Sequence, residues 1–298
     1  MSDLELPMDS SSDASSPFPQ SPVVPTLLDG TASVQFRCHA GIACFNACCK
    51  NIDISLTPYD ILRLRKHLGI TSGDFLARYT IPYEMEKGGL VGVKLRPVEE
   101  GTACRFMTDQ GCAVYSDRPT ACRYYPIALL SMRRQDEYVD RNAYALVQED
   151  HCLGHQEPRS LSIEAYREEQ GLQEYDDLGR GWRQLILKKK SSGPAVGKPT
   201  ERSLQLFFMV CYDLDRFRQF VEARHFHEVY ELSDELREQI SQDTGLMLFG
   251  FQFLRQVLFN EVSIPIKGDA MDRRLARKQD RDAAMETILN KVSATEQK

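Results

Sequence analysis

Apolar residues recur at helical spacing in two segments of the first half of the chain. In TPYDILRLRKHLG (57–69), Thr57 is a natural N-cap, Pro58 suits the first helical position and Gly69 suits the stop. The apolar positions of this segment share one face, which predicts that they point into a core: Ile61, Leu62, Leu64 and Leu68. The segment SGDFLARYT (72–80) predicts a second, shorter helix.

Three further segments are candidates for strands. LVGVKL (90–95) alternates its side chains well enough for one short strand, and PIALLSM (126–132) and YALVQ (144–148) are two more candidates. These elements are short and lie far apart in the sequence, so they bury little apolar surface by themselves. A region of this kind gains stability from a bound metal that joins its connections.

Beyond residue 160 the pattern becomes helical. Residues 162–190 are charged and mostly helical in pattern, with breaks expected at Gly171, Gly179 and Gly181. A flexible connector is predicted near 188–202. After it come one helical repeat of apolar residues, a strongly apolar helix (GLMLFGFQFLRQVLF) and a last amphipathic helix (MDRRLARKQDRDAAMETILNKV); the repeat comprises Leu204, Phe207, Cys211, Leu214, Phe217 and Val221.

The predicted fold class is therefore α+β, with a small metal-stabilised domain of short helices and strands and a mainly helical C-terminal region. Residues 1–33 hold eight Ser, five Pro and five acidic residues with little periodic apolar content, which predicts a disordered acidic tail. The cysteine-bearing domain is expected over 34–160 and the helical region over 161–298.

Composition and charge restrict the class of protein. Apolar residues make up 42% of the 298 positions, and no run reaches the roughly eighteen apolar residues of a membrane span. No secretory signal is evident, so the expected compartment is the cytoplasm, where thiols stay reduced. The net charge is −6, of which the tail carries −5, and the near-neutral remainder argues against a nucleic-acid partner.

The chemistry of the sequence lies in its cysteines. Eight of the nine fall between positions 38 and 152, and two are adjacent: Cys38, Cys44, Cys48, Cys49, Cys104, Cys112, Cys122 and Cys152. Cysteines used only for packing would be scattered, whereas clustered thiols in a reducing compartment favour metal binding. Cys211 is the exception, because its helical spacing with Leu204, Phe207 and Leu214 predicts a buried apolar role.

The adjacent pair restricts the geometry. In extended backbone the side chains of Cys48 and Cys49 would diverge, whereas in a turn or at a helix start they can serve one centre. One centre with ligands from both segments and two neighbouring four-ligand centres both agree with eight thiols. Four cysteines also have a basic neighbour in the sequence, which could offset thiolate charge; these neighbours are Arg37, Lys50, Arg105 and Arg123.

Two quoted segments carry a family resemblance. FRCHAGIACFNACCKNIDISLTPYDILRLRKHLG, followed by CRFMTDQGCAVYSDRPTACRYYP, resembles the YkgJ-type cysteine-cluster family of zinc- or iron-chelating domains over about residues 34–155. The second segment is the more specific, with matches at Cys104, Gly111, Cys112, Tyr115, Arg118, Pro119, Cys122, Arg123, Tyr125 and Pro126. Flagellin lysine N-methylases look related through such a cluster, which would imply an iron–sulfur-dependent methyl transfer.

Histidines near the cysteines are alternative ligands. His39, His151 and His155 flank Cys38 and Cys152, and an imidazole could replace a thiolate in a zinc or an iron–sulfur site. His225 and His227 lie near no cysteine in the sequence, and we expect them to be solvated.

All-thiolate ligation suits an iron–sulfur cluster or Zn²⁺. The first hypothesis is a cytoplasmic iron–sulfur protein, which could be an enzyme. The second is a zinc-dependent structural or protein-interaction module, and the third is a thiol redox sensor. The pattern names neither a substrate nor a protein partner, and it predicts no membrane association.

Overall fold

Short strands and helices are mixed up to residue 162, and helices dominate beyond it. The computed structural model describes residues 26–85, 89–132, 141–191, 200–261, 263–268, 270 and 272. Its strands are β1 (Ser33–Gln35), β2 (Ser55–Leu56), β3 (Thr80–Glu84), β4 (Val91–Leu95), β5 (Met107–Thr108), β6 (Gly111–Cys112), β7 (Ile127–Met132), β8 (Arg141–Leu146) and β9 (Ser160–Ser162). Its helices are α1 (Pro58–Leu68), α2 (Ser72–Tyr79), α3 (Thr120–Tyr124), α4 (Ile163–Glu169), α5 (Leu172–Ser191), α6 (Glu201–Tyr212), α7 (Leu214–Glu222), α8 (Arg224–Val229), α9 (Asp234–Ser241) and α10 (Asp243–Phe259). The fold is α+β, as the sequence predicts.

The strands form small antiparallel sheets. One sheet has the order β2–β4–β3, and the other pairs are β1 with β9, β5 with β6, and β7 with β8. The three strand candidates of the sequence correspond to β4, β7 and β8, so those predictions are confirmed. Two-residue strands such as β5 and β6 contribute few hydrogen bonds of their own, which leaves their positions dependent on other contacts.

Helix α1 has the two ends that its sequence predicts. The Thr57 side chain accepts a hydrogen bond from Asp60 N (3.1 Å), and Asp60 Oδ2 accepts one from Thr57 N (2.8 Å), which makes a capping box. Gly69 ends the helix at a φ of 65°, a left-handed conformation that costs glycine little. The predicted second helix is also present, as α2.

Two helical predictions need correction. Gly171 separates α4 from α5, as expected, but Gly179 and Gly181 lie inside α5 without a break. A Cβ at Gly181 would lie 2.8 Å from the ring of Phe251, so this glycine allows α5 to approach α10 closely. The apolar repeat from Leu204 to Val221 spans two helices, because Asp213 ends α6 and caps α7.

The larger hydrophobic core joins both predicted regions. It contains Leu64 of α1 and Phe75 of α2 together with Phe207, Phe217 and Phe249 of the helical half. The predicted boundary at residue 160 therefore does not separate two cores. Cys211 is 4% exposed within this core, which confirms its predicted apolar role. A second, smaller cluster forms around β1, β7 and α4.

The structure also differs from the sequence prediction at the ends of several segments. Leu28 exchanges backbone hydrogen bonds with Tyr144, and Ser33 pairs with Ser162, so paired structure begins inside the predicted tail. The helices α5 and α6 occupy both ends of the predicted connector. Residues 1–25, 192–199 and nearly all of the predicted last helix lie outside the described residues. Within the described part of the chain, no helix combines the length and the apolar character that crossing a membrane requires.

Candidate metal centre

The adjacent cysteines lie in a single turn of 3₁₀-helix, Ala47–Cys49. Asn46 precedes it with a φ of 65°, and its side-chain amide donates to the Thr108 carbonyl oxygen (3.0 Å), which ties the turn to the β5–β6 hairpin. The sulfur atoms of Cys48 and Cys49 are 3.9 Å apart. The pair therefore has the compact backbone that allows neighbouring side chains to serve one region.

The β5–β6 hairpin brings Cys104 and Cys112 to this turn. Cys104 N donates to the Cys49 carbonyl oxygen at 2.7 Å, and Cys112 pairs with Met107 across the hairpin. Gly111 has a φ of 120°, and a Cβ there would lie 3.3 Å from the Phe45 ring, so the hairpin needs glycine at this position.

Backbone N–H groups point at the sulfur atoms of the hairpin. Burial raises the pKa of Cys104, while hydrogen bonds from the backbone of Phe106 and Met107 oppose that rise. Burial likewise raises the pKa of Cys112, against a hydrogen bond from the Val114 backbone. N–H donors directed at sulfur stabilise the thiolate, which is the form of cysteine that binds metal.

Cys122 joins the same region from α3. Burial raises its pKa, and the negative charges of Cys104, Asp60 and Cys112 raise it further. The start of α3 is held by Asp60, because Thr120 N and Thr120 Oγ1 both donate to Asp60 Oδ1 at 2.7 Å. A buried carboxylate thus fixes the helix that carries Cys122 against α1.

Three other cysteines lie near one another and near Cys48, namely Cys38, Cys44 and Cys152. Desolvation raises the pKa of Cys38 to about 11, with further contributions from the charges of Cys48, Cys44 and Cys152. The backbone N–H of Leu153 donates to Cys44 Sγ at 3.2 Å, so the segment after Cys152 contacts Cys44 directly. Arg37 N also donates to the Gly154 carbonyl oxygen (3.1 Å), which holds the two segments side by side.

The cysteines thus fall into two neighbouring groups. The first thiol group is Cys38, Cys44 and Cys152, and the second thiol group is Cys49, Cys104, Cys112 and Cys122. Cys48 lies between them, since its charge acts on Cys38 and also on members of the second group. A hydrogen bond from Cys49 lowers the pKa of Cys48 to about 7.

All nine cysteines are free thiols. Among the residues that the structure describes, no three side chains of His, Cys, Asp or Glu lie close enough together to enclose a metal ion. The assignment of the eight clustered cysteines as ligands therefore stays a prediction. The donor set itself fits a thiophilic metal, because the clustered groups are sulfur atoms and several of them accept backbone N–H bonds.

Two of the four basic neighbours, Arg123 and Arg105, bond to backbone carbonyl oxygens. Arg123 is 7% exposed and donates to the carbonyl oxygens of Arg118 (3.1 Å), Gln170 (2.7 Å) and Ser116 (2.5 Å), so it braces the backbone instead of facing Cys122. Arg105 Nε similarly donates to the Pro97 carbonyl oxygen (2.9 Å).

The cation that does act on a thiol is Arg118. Its charge lowers the pKa of Cys112, although burial of that thiol is the larger influence and raises it. Arg118 is held by the Tyr115 carbonyl oxygen (2.8 Å) and by Gln170 Oε1 (2.5 Å). It lies six positions from Cys112, so adjacency in the sequence could not identify it.

The three histidines near the cysteines have other partners. His39 Nε2 lies 3.4 Å from Glu157, His151 Nε2 lies 3.6 Å from Glu149, and His155 Nε2 lies 3.1 Å from the Val147 carbonyl oxygen. A role for any of them as a ligand stays a prediction. Away from the cysteines, His225 is exposed, but the Nδ1 atom of His227 is buried, which corrects the expectation that both are solvated.

Sequence reasoning missed the roles of two residues beside the cysteines, although one of them, Tyr125, belongs to the quoted family signature. Asp60 reads as an ordinary helix-capping residue, and nothing in the sequence indicates its contact with Thr120, sixty positions away. The Tyr125 hydroxyl is buried and has no hydrogen-bond partner among the described residues at ordinary bonding distance. It faces Cys152 and Glu149, both of which add to the effect of burial in raising the pKa of Tyr125. An unpaired donor beside a thiol is suited to hydrogen-bond a thiolate.

Comparison with known proteins agrees with this chemistry. A family model described as "Putative zinc- or iron-chelating domain" and called CxxCxxCC matches residues 37–168. The match begins just before Cys38, ends beyond Cys152 and contains all eight clustered cysteines. Neither a search of curated proteins nor a search of solved structures found a match.

Proposed function

We propose that residues 37–168, which match the family model of zinc- or iron-chelating domains, bind metal at two neighbouring four-thiolate centres. One centre is the first thiol group with Cys48, and the other is the second thiol group. The observation that carries the proposal is the set of backbone N–H groups that point at the sulfur atoms of Cys44, Cys104 and Cys112. Neutral thiols gain little from such donors, whereas metal-bound thiolates gain much.

The division into two centres follows from the position of the adjacent pair. Cys49 lies with the hairpin, because its carbonyl oxygen accepts from Cys104 N and its thiol is influenced by Cys104 and Cys122. Cys38 is influenced by Cys44, Cys48 and Cys152 instead. Assigning one member of the pair to each centre gives four thiolates to each, the number that zinc and cubane iron–sulfur sites commonly use.

An iron–sulfur cluster is our first candidate for the bound group. If the cluster takes part in catalysis, the protein is an iron–sulfur-dependent enzyme. Four thiolates per centre are the usual ligands of such clusters, and the Tyr125 hydroxyl could donate to a ligand sulfur as hydrogen bonds to cluster sulfurs commonly do. When bound, the group would supply electron transfer. The chain's own residues would hold it, and Arg118 would offset thiolate charge beside Cys112.

Zinc is the second candidate, and the small size of β5 and β6 supports it. A hairpin of two-residue strands that carries Cys112, with Cys104 three residues before it, resembles the connections that structural zinc holds in place in small domains. In that case the domain is a structural or protein-interaction module. The sulfur separation of 3.9 Å between Cys48 and Cys49 supports the third candidate, reversible thiol chemistry. Each candidate needs reduced thiols, so we place the protein in the cytoplasm.

The test is metal analysis of the full chain purified without oxygen. For the first candidate we expect iron with acid-labile sulfide and broad absorption at about 400 nm. For the second candidate we expect colourless protein with bound zinc. Protein without metal and with fast-reacting thiols would favour the third candidate and contradict metal binding.

Variants test the division into two centres. Cys38→Ser and Cys122→Ser should each remove metal from one centre and leave the other occupied, so that each variant keeps about half of the metal. The matched control is Cys211→Ser, a cysteine in the apolar core, which should keep full metal content. Loss of all metal in both single variants would indicate one shared centre. Full metal content in both would contradict the ligand assignment.

A further inference from the structure

A cavity of about 240 Å³ lies among α7, α8, α9 and the start of α10, and it is partly open to solvent. None of the eight clustered cysteines lines it. This volume is smaller than the roughly 300–1,000 Å³ of sites for drug-sized ligands, so the cavity suits a molecule of only a few carbon atoms.

Two arginines line the cavity. Arg218 Nη1 donates to the Ile240 carbonyl oxygen (2.9 Å) and Nη2 to Asp243 Oδ1 (2.8 Å), which fixes its guanidinium group. Arg237 bonds only through Nε, to the Leu232 carbonyl oxygen at 3.3 Å and toward Asp234 at 3.9 Å. Among the described residues, the two terminal nitrogens of Arg237 have no partner, so this planar fork is available for a carboxylate.

His227 adds an unpaired donor or acceptor to the same lining. Its Nδ1 atom is buried and has no hydrogen-bond partner among the residues that the structure describes. Leaving a buried polar atom unpaired is unfavourable, and native proteins rarely leave one without a water or a ligand.

The remaining lining combines aliphatic side chains with one acid and one serine, Ser241. Val221, Leu232 and Leu246 are each at most 6% exposed, so they form an apolar floor. Glu222 also lines the cavity and would repel a simple anion. A ligand that carries an ammonium group beside its carboxylate would satisfy Glu222 and the arginines together.

We propose that this cavity binds a small α-amino acid with an aliphatic side chain. Its carboxylate bonds to Arg237 and Arg218, its ammonium group pairs with Glu222, and its side chain packs on Val221 and Leu246. The combination of both charge signs with an apolar floor matches the three parts of such a molecule. This site is separate from the proposed metal centres and does not depend on which metal they hold.

The experiment titrates L-leucine into the full chain and follows binding by calorimetry. Arg237→Gln should weaken leucine binding about tenfold or more, the loss expected when a charge-assisted hydrogen bond is removed. Glu222→Gln should weaken binding of leucine but not of 4-methylpentanoate, which lacks the ammonium group. The control is Arg224→Gln, because Arg224 is on α8 with its side chain 93% exposed and does not line the cavity.

Several outcomes would overturn the proposal. The first is the absence of leucine binding at millimolar concentration, and the second is equal affinity for leucine in Arg237→Gln and Arg224→Gln. If 4-methylpentanoate binds the unmodified chain as tightly as leucine, the amino-acid assignment is wrong. Arg237 is half-exposed, so its replacement should leave the fold intact, which circular dichroism would verify.

Discussion

Replacing Asp60 by alanine should destabilise the chain far more than the loss of an ordinary helix cap. Asp60 is completely buried and its carboxylate accepts three hydrogen bonds, from Thr57 N, Thr120 N and Thr120 Oγ1. The first closes the capping box of α1, and the other two hold the start of α3. Truncation therefore removes the link between α1 and the helix that carries Cys122.

The magnitude follows from these bonds and from one opposing effect. Each bond to a charged acceptor contributes about 1.5–3 kcal/mol, and each buried donor left unpaired costs about 1–3 kcal/mol. Burial raises the pKa of Asp60, so its removal also relieves the cost of a buried charge. We expect a net loss of about 3–5 kcal/mol for Asp60→Ala. Asp60→Asn, which keeps one acceptor oxygen, should lose less.

The assay is urea unfolding of the full chain, followed by the fluorescence of Trp182, the only tryptophan. With an m-value of about 3 kcal/mol/M, the midpoint for Asp60→Ala should fall by about 1–2 M. The matched control is Asp74→Ala, because Asp74 is the third residue of α2 and its hydrogen bonds to side chains, within the described part of the chain, go to its own exposed cap, Thr71. That variant should lose at most about 1 kcal/mol. Equal midpoints for the two variants would refute the long-range role of Asp60.

Two further predictions concern the same region. Arg123→Ala should destabilise the chain by about 2–4 kcal/mol, because three backbone carbonyl oxygens lose their donor, and Arg123→Lys should recover only part of that loss; thermal unfolding measures both. Although burial acts to raise the pKa of Asp117, hydrogen bonds from Ser116, Arg63 and His67 lower it to about 2. Its stabilising contribution is therefore complete above about pH 4 and disappears as the pH falls toward 2, so the difference in urea midpoint between the unmodified chain and Asp117→Asn should narrow over that range.

A specific result would contradict each of these two predictions. If Arg123→Lys were as stable as the unmodified chain, the geometry of the guanidinium group would not matter, and if Arg123→Ala were as stable as the unmodified chain, the three bonds would contribute nothing. A constant difference between the unmodified chain and Asp117→Asn at every pH would show that the ionisation of Asp117 is not linked to folding. Arg224→Gln is a suitable surface control for both, because the Arg224 side chain is 93% exposed.

The sequence was sufficient to predict helix ends that depend on residues within one helical turn. The Thr57 cap, Pro58 and Gly69 predict both ends of α1, because capping involves residues within one turn. The breaks expected at Gly179 and Gly181 were both wrong, and at Gly181 the reason is that tertiary packing against α10 outweighs the low helix propensity of glycine. Whether such a glycine interrupts a helix depends on a neighbour seventy positions away, Phe251.

The candidate metal centre was likewise predictable only in part from the sequence. The clustering of the cysteines in the sequence points to a metal-binding region, and the family match agrees with it. The separation into two groups could not be predicted, because it depends on the contacts of Cys104 with Cys49 and of Leu153 with Cys44. The charge partner of a thiol could not be predicted from adjacency either, since Arg123 turns to backbone carbonyls and Arg118 provides the cation.

The core that the two halves of the chain share limits where the chain can be truncated. The match to the family ends at residue 168, yet Leu64 and Phe75 pack in one core with Phe207, Phe217 and Phe249 from beyond that point. A fragment ending there would expose the apolar faces of α1 and α2 to water. The segment that matches the family is therefore shorter than the segment that folds around one core. A relative with a different C-terminal sequence needs other apolar residues to pack on the same two helices.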